Sequence, residues 1–198
     1  EVEIDAVVVD DYRLSSVWEK KVERLGFHII VMDDRNSVSH NCSMIVDPKW
    51  TGIATSKRYK TNTPKKCLRL LGPKYVMLND SYSFFHERPK TFSSKGMIRI
   101  MLSLGGGGDM DILSKLSVKL LSSAPKGTDF LIQPVIGYFS TNTDLILSIA
   151  EKDRRVPPIY HAQSLYDYFK KTTLFIGAAG GTLYEIITMG IPAITFLL

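Results

Sequence analysis

Short apolar runs alternate with amphipathic segments along most of the 198-residue chain. Continuous apolar runs are typical of parallel strands covered on both faces, whereas a 3.6-residue apolar period indicates a helix packed on one side. The runs predict strands at 4–9, 27–32, 43–46, 97–104, 129–136, 157–161, 174–176 and 193–196, and a turn followed by a strand at 72–78. Helices are expected at 16–25, 110–121, 140–153, 164–171 and 182–189.

The alternation of strands and helices stops once and then restarts. Residues 79–96 are polar and aromatic and contain a proline, and residues 50–69 read as a long basic loop. We therefore expect an α/β protein with two doubly wound, Rossmann-like parallel sheets facing each other. The predicted boundary lies near Glu87 to Lys95, which gives domains 1–88 and 89–198.

The two ends of the sequence have the character of internal positions. Glu1 leads almost directly into an apolar run, and Leu198 follows another one. We expect further residues on both sides, so that the N-terminal domain is incomplete. The sequence has no signal peptide and no apolar run long enough to span a bilayer, which favours a soluble, cytoplasmic protein without a membrane span.

Residues 174–196 form the clearest candidate site. An apolar strand leads through Ala179, Gly180 and Gly181 into a helix that starts at Thr182. Unpaired amides at such a turn bind phosphate when no Cβ blocks the approach, and Glu185 would then accept the hydroxyls of a ribose. The dinucleotide fingerprint and the GxxxxGK[ST] loop are both absent, so neither NAD nor a P-loop site is expected.

A purely structural interpretation of the same stretch stands beside this one. Thr182 and Glu185 have the spacing of a capping box, in which the two side chains bond the backbone at the start of a helix. Glycines at strand-to-helix turns also often serve packing alone. The residues themselves leave both interpretations open.

Acidic pairs end the first two predicted strands. Asp10 and Asp11 precede Tyr12, and a second pair, Asp33 and Asp34, ends the next strand. Carboxyl ends of parallel strands are where open α/β sheets bind ligands, and acids add nothing to a core. These pairs are therefore expected to serve a site. Between them, Ser16 and Glu19 have the spacing of another capping box, and His40 is treated as a weaker functional candidate.

A second glycine-rich turn follows the strand that opens the C-terminal half. Gly105, Gly106 and Gly107 belong to a run of four glycines that ends at Asp109. Backbone amides in such a turn can cradle a phosphate or a sugar. Because glycine-rich turns after strands are common, the run predicts a ligand only in combination with other signals.

Charge and cysteine content narrow the function classes. The net charge is +5, and the sequence lacks any nucleic-acid-binding motif, so the basic residues predict a solvated face or an anionic substrate rather than nucleic acid. Cys42 and Cys67 lack metal-ligand spacing, which favours reduced thiols without a metal or other cofactor. The clustered basic residues are Lys57, Arg58, Lys60, Lys65, Lys66, Arg69 and Lys74.

Five segments together resemble a known family. VVVDDYRLS, IIVMDD, GPKYVMLND, LSLGGGGD and IGAAGGTLYE occur in this order along nearly the whole chain. They are similar to segments of the UDP-sugar hydrolases of pseudaminic acid biosynthesis, the PseG/SpsG family. That family belongs to the GT-B superfamily and includes spore-coat polysaccharide proteins. No single segment carries the resemblance.

The resemblance implies a reaction and a set of site residues. In this family water attacks a UDP-linked di-N-acetylated trideoxy altrose, and UDP leaves with inversion. Tyr12, with Asp11 beside it, matches the family's active-site tyrosine. The nucleotide would be held in the C-terminal half by Gly105, Gly106, Gly107, His161, Ala179, Gly180, Gly181, Thr182 and Glu185. His161 lies in the loop that matches the family's uracil pocket.

The sequence also departs from the family pattern. The family's proposed base is a histidine in a GxGHxxR-type loop, which would precede Glu1, and a further Asn/Gln motif would follow Leu198. Two alternatives to hydrolysis therefore stay open. One is a GT-B glycosyltransferase that uses a UDP-sugar donor, and the other is an inactive nucleotide-binding fragment. The sequence does not define the oligomeric state.

Overall fold

The computed structural model describes residues 3–82 and 96–197. The chain divides into two compact units, Glu1–Met77 and Leu78–Leu198. The boundary predicted between residues 88 and 89 lies outside the described residues. Each unit is an α/β structure with a parallel sheet, as the alternation of strands and helices predicts.

The first unit is built on a four-stranded parallel sheet whose strands follow chain order. A core of aliphatic, aromatic and cysteine side chains, including Ile29, Ile45 and Tyr59, is buried against it. The strand reversal of a doubly wound sheet, expected for this half, is not seen within residues 3–77. Its strands and helix are β1 (Ala6–Val9), α1 (Ser16–Glu23), β2 (His28–Met32), β3 (Met44–Asp47) and β4 (Leu68–Leu71).

Three predictions for the first unit are wrong in detail. Residues 50–69 were expected to be a loop, but β4 begins within them at Leu68; its short apolar run lies among basic residues. In segment 72–78, expected to be a turn followed by a strand, the turn is confirmed as a 3-10 turn at Pro73–Tyr75, where Gly72 with a φ of 97° and the following proline bend the chain. Residues 76–78 do not form the expected strand. Strand β1 lies at the edge of the described sheet, and Val8 is 61% exposed instead of covered on both faces.

The second unit is a five-stranded parallel sheet with helices on both faces. Its elements are β5 (Ile98–Ser103), β6 (Gly107–Asp109), α2 (Asp111–Ser123), β7 (Phe130–Ile136), β8 (Phe139–Thr141), α3 (Thr143–Lys152), β9 (Ile159–Tyr160), α4 (Tyr166–Phe169), β10 (Leu174–Ala178), α5 (Thr182–Thr188) and β11 (Ala193–Phe196). The strand order is β11-β10-β5-β7-β9. Counted along this sheet, that is the 3-2-1-4-5 order of a Rossmann fold.

Alternation along the central strands builds the two cores. On β5, Ile100 and Leu102 face the core under α2 and α3, whereas Met101 faces the core that includes Phe169 and Ile186 of α4 and α5. A strand buried on both faces needs a nearly continuous apolar sequence, which is the pattern of residues 100–102 of β5 and of β10. The doubly wound prediction is thus confirmed for this unit.

Pro134 lies in β7, in the interior of the sheet. Strand β7 pairs with β5 through Leu102 and Pro134, and its pairing with β9 begins one residue later, between Val135 and Ile159. The missing proline N–H therefore does not interrupt the β7–β9 ladder.

The strand reversal lies between β5 and β10. Chain connections leave such a point in opposite directions and open a crevice at the carboxyl ends of the two strands. Those ends carry the two glycine-rich turns, Gly105–Gly106 after β5 and Gly180–Gly181 after β10. Among the described residues, no helix is long and apolar enough to cross a membrane.

Candidate functional site

A cavity of about 240 Å³ opens at the strand reversal of the second unit. Five of the residues predicted to hold a nucleotide contribute to its wall, although they come from three separate parts of the sequence. They are Gly105, Gly106, His161, Thr182 and Glu185. The fold thus brings the end of β5, the loop after β9 and the start of α5 to one place.

The glycines after β5 form a floor made of backbone. Gly105 has a φ of 89°, a left-handed conformation that favours glycine, and its amide bonds the Ser103 hydroxyl at 3.1 Å. A Cβ on Gly137 would lie 2.4 Å from the Gly106 carbonyl oxygen. The loops after β5 and β7 therefore touch through their main chains, a contact that only a glycine at position 137 permits.

The Gly180–Gly181 turn has open space above it. A Cβ added to either glycine would meet nothing within 4 Å in the described structure. By contrast, a Cβ on Gly177 would lie 2.0 Å from the Ser103 carbonyl oxygen, so that glycine does serve strand packing. The interpretation of Gly180 and Gly181 as packing residues therefore finds no support in their surroundings.

The capping box at Thr182 and Glu185 is not formed. Gly181 occupies the N-cap position of α5, and no side chain caps the helix. Glu185 lines the cavity instead. Its side chain is thus free of the competing backbone role and available to a ligand.

The Glu185 carboxyl is partly removed from solvent. Burial raises its pKa, and the nearby Tyr82 hydroxyl acts in the opposite direction. Tyr82 itself is 3% exposed, and its hydroxyl has no hydrogen-bond partner among the described residues. Burial and the Glu185 carboxylate both raise the pKa of Tyr82, which keeps this hydroxyl protonated at neutral pH.

An aromatic pair forms another part of the cavity wall. The rings of Tyr138 and His161 are stacked, with their centroids 4.6 Å apart and an angle of 21° between their planes. The Tyr138 hydroxyl also donates to the His161 carbonyl oxygen at 3.2 Å. His161 has a φ of 38°, which is unusual for a non-glycine residue. A flat aromatic surface of this kind suits the face of a heterocyclic base.

The remaining predicted residues of this half lie outside the cavity lining. Ala179, Gly180 and Gly181 make the exposed turn that leads into α5. Gly107 lies in β6, where a Cβ would come within 2.5 Å of Phe139 of the paired strand β8, so its role is packing. Asp109, which ends the same glycine run, accepts a hydrogen bond from the Asn142 amide at 2.9 Å.

Sequence reasoning missed several residues of the cavity wall. Tyr138 follows Gly137 directly after β7, so the rule that ligands bind at carboxyl ends of strands would have indicated it. The others lie in irregular segments and reach the cavity only through the fold. They are Asn79, Gln163, Ser164 and Leu165.

In the first unit, the predicted catalytic residues lie after β1. The Tyr12 hydroxyl donates to Asp34 Oδ1 at 2.7 Å, and the Arg35 guanidinium lies 3.6 Å from the centre of the Tyr12 ring. Asp11 is paired with Arg13, whose Nη2 is 2.6 Å from Asp11 Oδ2, and this pairing lowers the Asp11 pKa to about 2. Tyr12 is therefore oriented, whereas Asp11 is neutralised by its neighbour.

A buried ionic cluster lies behind the Asp33–Asp34 turn. His40 Nδ1 is 2.7 Å from Glu19 Oε1, and His40 Nε2 is 3.6 Å from Asp33 Oδ2. Glu19 Oε2 also accepts the amide of Asn41, so the capping box predicted for Ser16 and Glu19 is wrong. Glu19 is fully buried and binds the segment before β3 rather than its own helix.

Both carboxylates act on the histidine. Burial alone would lower the pKa of His40, but its contacts with Asp33 and Glu19 raise it to about 9. Burial raises the pKa of Asp33, but the nearby His40 and hydrogen bonds from the Arg35 and Asn36 amides outweigh this effect and lower the pKa, so the carboxyl is ionised. Asp33 thus has a structural role, contrary to the expectation that the strand-end acids serve only a site.

Part of the basic cluster is also structural. Arg58 Nε bonds Asp47 at 2.5 Å, and its Nη2 donates to the Asp34 carbonyl oxygen at 2.7 Å. Arg69 donates to the Thr63 hydroxyl at 2.9 Å. Cys42 and Cys67 are buried free thiols whose Sγ atoms lie 3.5 Å apart. No group of acidic, histidine or cysteine residues within the described ranges could hold a metal ion.

A second cavity lies on the surface of α2 and α3. Its volume is about 480 Å³, and its wall is formed mainly by Val118, Leu145 and the stems of Lys115 and Lys119. It lacks the glycine-rich backbone floor, the aromatic pair and the carboxylate that line the cavity at the strand reversal. We therefore take the latter as the functional site.

The chain is thus an α/β protein whose second unit has a Rossmann-like fold with a cavity at its strand reversal. Its sequence is 25% identical over 194 residues to the uncharacterized protein MJ1062 of Methanocaldococcus jannaschii. This match covers 96% of the chain but 40% of the archaeal protein, so the chain spans less than half of that relative. No family model matches the sequence.

Proposed function

We propose that the chain belongs to a UDP-sugar hydrolase that releases UDP from a UDP-linked di-N-acetylated trideoxy sugar, in the biosynthesis of pseudaminic-type acids. One observation supports this proposal above the others. The glycine-rich turn after β5, an aromatic pair, Thr182 and Glu185 surround a single cavity at the strand reversal. Such crevices are where open α/β sheets bind nucleotides.

In this proposal the base, the ribose and the diphosphate of UDP each contact a different group in or beside the cavity. The base lies against the Tyr138–His161 pair, and the Glu185 carboxylate accepts the two ribose hydroxyls. The diphosphate lies over the uncovered turn at Gly180 and Gly181, where backbone amides stabilise the charge that develops on the leaving group. Helix α5 has only seven residues, so the amides of the turn matter more than the helix dipole.

The proposal also includes the two-domain GT-B arrangement, with the first unit on the side of the sugar and the attacking water. Tyr12, held by Asp34, would then act on the sugar, as the family resemblance implies. In the family that the sequence resembles, the proposed base is the histidine of a GxGHxxR-type loop, a motif that the given sequence does not contain.

Titration of the protein with UDP in a calorimeter tests the binding half of the proposal. We expect binding in wild type, and we expect Glu185→Ala to weaken it by about 1–3 kcal/mol, since two ribose hydroxyls lose their acceptor. Glu151→Ala on the exposed surface of α3 is the matched control and should bind UDP like wild type. Loss of thermal stability without loss of affinity would show that Glu185 is structural.

Turnover tests the chemical half. The complete protein, incubated with the UDP-linked sugar, should release UDP without an added acceptor. Release that needs a sugar acceptor would replace hydrolysis with glycosyl transfer, because the same scaffold supports both. Binding of UDP with no turnover under either condition would leave a nucleotide-binding protein without the proposed activity.

A further inference from the structure

Tyr82 lies beside the proposed site, and it binds no part of UDP in the proposal. It ends a 3-10 turn, Asp80–Tyr82, and its amide donates to the carbonyl oxygen of Asn79, which lines the cavity. Its ring packs in the core with Ile186, the residue after Glu185, and meets Tyr166 edge-on at 5.2 Å. The side chain is therefore fixed immediately behind the cavity wall.

The Tyr82 hydroxyl is the unusual part of this arrangement. It is buried and lacks a hydrogen-bond partner among the described residues. Buried hydroxyls are nearly always paired, and unpaired ones concentrate where a ligand or a conformational change completes the bond. The Glu185 carboxylate lies close enough to this hydroxyl that each group shifts the pKa of the other.

We propose that Tyr82 is a positioning residue, whose hydroxyl donates to the Glu185 carboxylate and keeps it ionised and directed at the ribose when a nucleotide is bound. This inference rests on the proposed function. The bond satisfies the buried hydroxyl and leaves the outward lone pairs of Glu185 for the two ribose hydroxyls. If Glu185 were protonated, its carboxyl group could accept fewer hydrogen bonds from the ribose hydroxyls.

The surroundings of Glu185 make Tyr82 the group suited to this task. The titratable side chains near it are Tyr82 on the 3-10 turn, Tyr166 on α4 and His161 after β9. Burial raises the pKa of Glu185, and among these groups Tyr82 lowers it. Tyr166 acts on Tyr82 rather than on Glu185.

The test is the pH profile of nucleotide binding. UDP-N-acetylglucosamine is the probe, because its diphosphate is a diester and lacks the monoester proton that titrates near pH ~6. Affinity should fall in wild type as the pH drops through the pKa of Glu185. In Tyr82→Phe this fall should begin at a pH about 0.5 to 1 unit higher, since the donor that stabilises the carboxylate is gone.

Matched variants separate positioning from packing. Tyr166→Phe removes a hydroxyl from the same aromatic pair and should leave the profile as in wild type. Glu185→Gln should abolish the dependence on acid, and adding Tyr82→Phe to it should then change nothing further. Thermal unfolding of each variant checks that the second unit is intact.

The outcomes are distinguishable. If wild type binds neither UDP nor UDP-N-acetylglucosamine, the proposed function fails and the inference fails with it. If wild type binds and Glu185→Gln removes the acid dependence, but Tyr82→Phe retains the wild-type profile, the inference alone is overturned. A uniform loss of affinity at all pH values in Tyr82→Phe would assign Tyr82 to packing and also overturn it.

Discussion

His40 makes the first unit less stable at alkaline pH than at neutral pH. The contacts with Asp33 and Glu19 raise the pKa of this histidine from 6.5 to about 9. A pKa that is higher in the folded than in the unfolded state contributes stability below about pH 6.5, and this contribution disappears as the pH rises through about 9. We expect the free energy of unfolding to fall by about 2–3 kcal/mol across this interval.

The tryptophans provide the measurement. The sequence has two, Trp18 and Trp50, and both lie in the first unit. Urea unfolding followed by their fluorescence therefore reports on this unit. We expect His40→Gln to be less stable than wild type at neutral pH. Its free energy of unfolding should differ much less between about pH 6.5 and pH 9 than that of wild type. Equal pH slopes in the two proteins would contradict the buried imidazolium.

Tyr12 is expected to affect rate rather than affinity. Its hydroxyl is held by Asp34 at 2.7 Å, and its ring is covered by Arg35, so Tyr12→Phe removes one polar atom with little change in packing. We expect a loss of about tenfold or more in kcat, with the affinity for UDP unchanged. Tyr75→Phe is the control from the same unit. An unchanged kcat in Tyr12→Phe would remove this residue from the site.

At the scale of elements, two glycines of one strand–turn–helix segment have opposite roles. Gly177→Ala places a Cβ 2.0 Å from the Ser103 carbonyl oxygen, which forces β10 away from β5. We expect it to destabilise the second unit by about 1–3 kcal/mol or more. Gly181→Ala meets nothing within 4 Å, so its stability should stay within about 0.5 kcal/mol of wild type.

The affinity for UDP should rank the two variants in the opposite order from their stability. In Gly181→Ala the new methyl group occupies space proposed for the diphosphate, and we expect UDP to bind about tenfold more weakly. Circular dichroism during chemical unfolding measures the stability, and calorimetric titration measures the affinity for UDP. Wild-type affinity in Gly181→Ala would show that the diphosphate does not use this turn.

The elements that the sequence predicted well are those with a single, strong pattern. Strand β10 is an unbroken run of apolar and small residues, and β5 is apolar except for Arg99 and its last residue, Ser103; both occupy the doubly covered centre of the sheet. Strand β4 was missed because its four residues include Arg69 and lie in a basic segment. Glu19 was misassigned since a local spacing rule cannot register a partner such as His40, which lies 21 positions away.

At the scale of the whole molecule, binding of UDP should be visible as a localised pattern of amide protection. Hydrogen exchange of the full chain with and without UDP should show slower exchange at the ends of β5 and β10 and in the loop after β9. The sheet of the first unit should change little with UDP alone, because the proposed nucleotide contacts lie in the second unit. Protection confined to α2 and α3 would direct attention to the other cavity.

The composition of the candidate site was predictable only in part. Gly105 could be named because it follows a strand and topology assigns ligands to that edge of a sheet, whereas His161 was named through the family resemblance. Asn79 and Tyr82 could not be named, since an irregular segment has no periodicity from which its position can be inferred. The role of Gly107 was also out of reach, because close approach to Phe139 depends on the pairing of β6 with β8.

The main-chain contact between Gly137 and Gly106 limits how this protein can vary. Since the loops after β5 and β7 touch without any intervening side chain, neither loop can shift on its own when a ligand enters. They form one stiff rim, and a substitution that enlarges position 137 would tilt both loops together. Variation in ligand preference is therefore easier to reach through Tyr138, one residue further on, than through the glycines themselves.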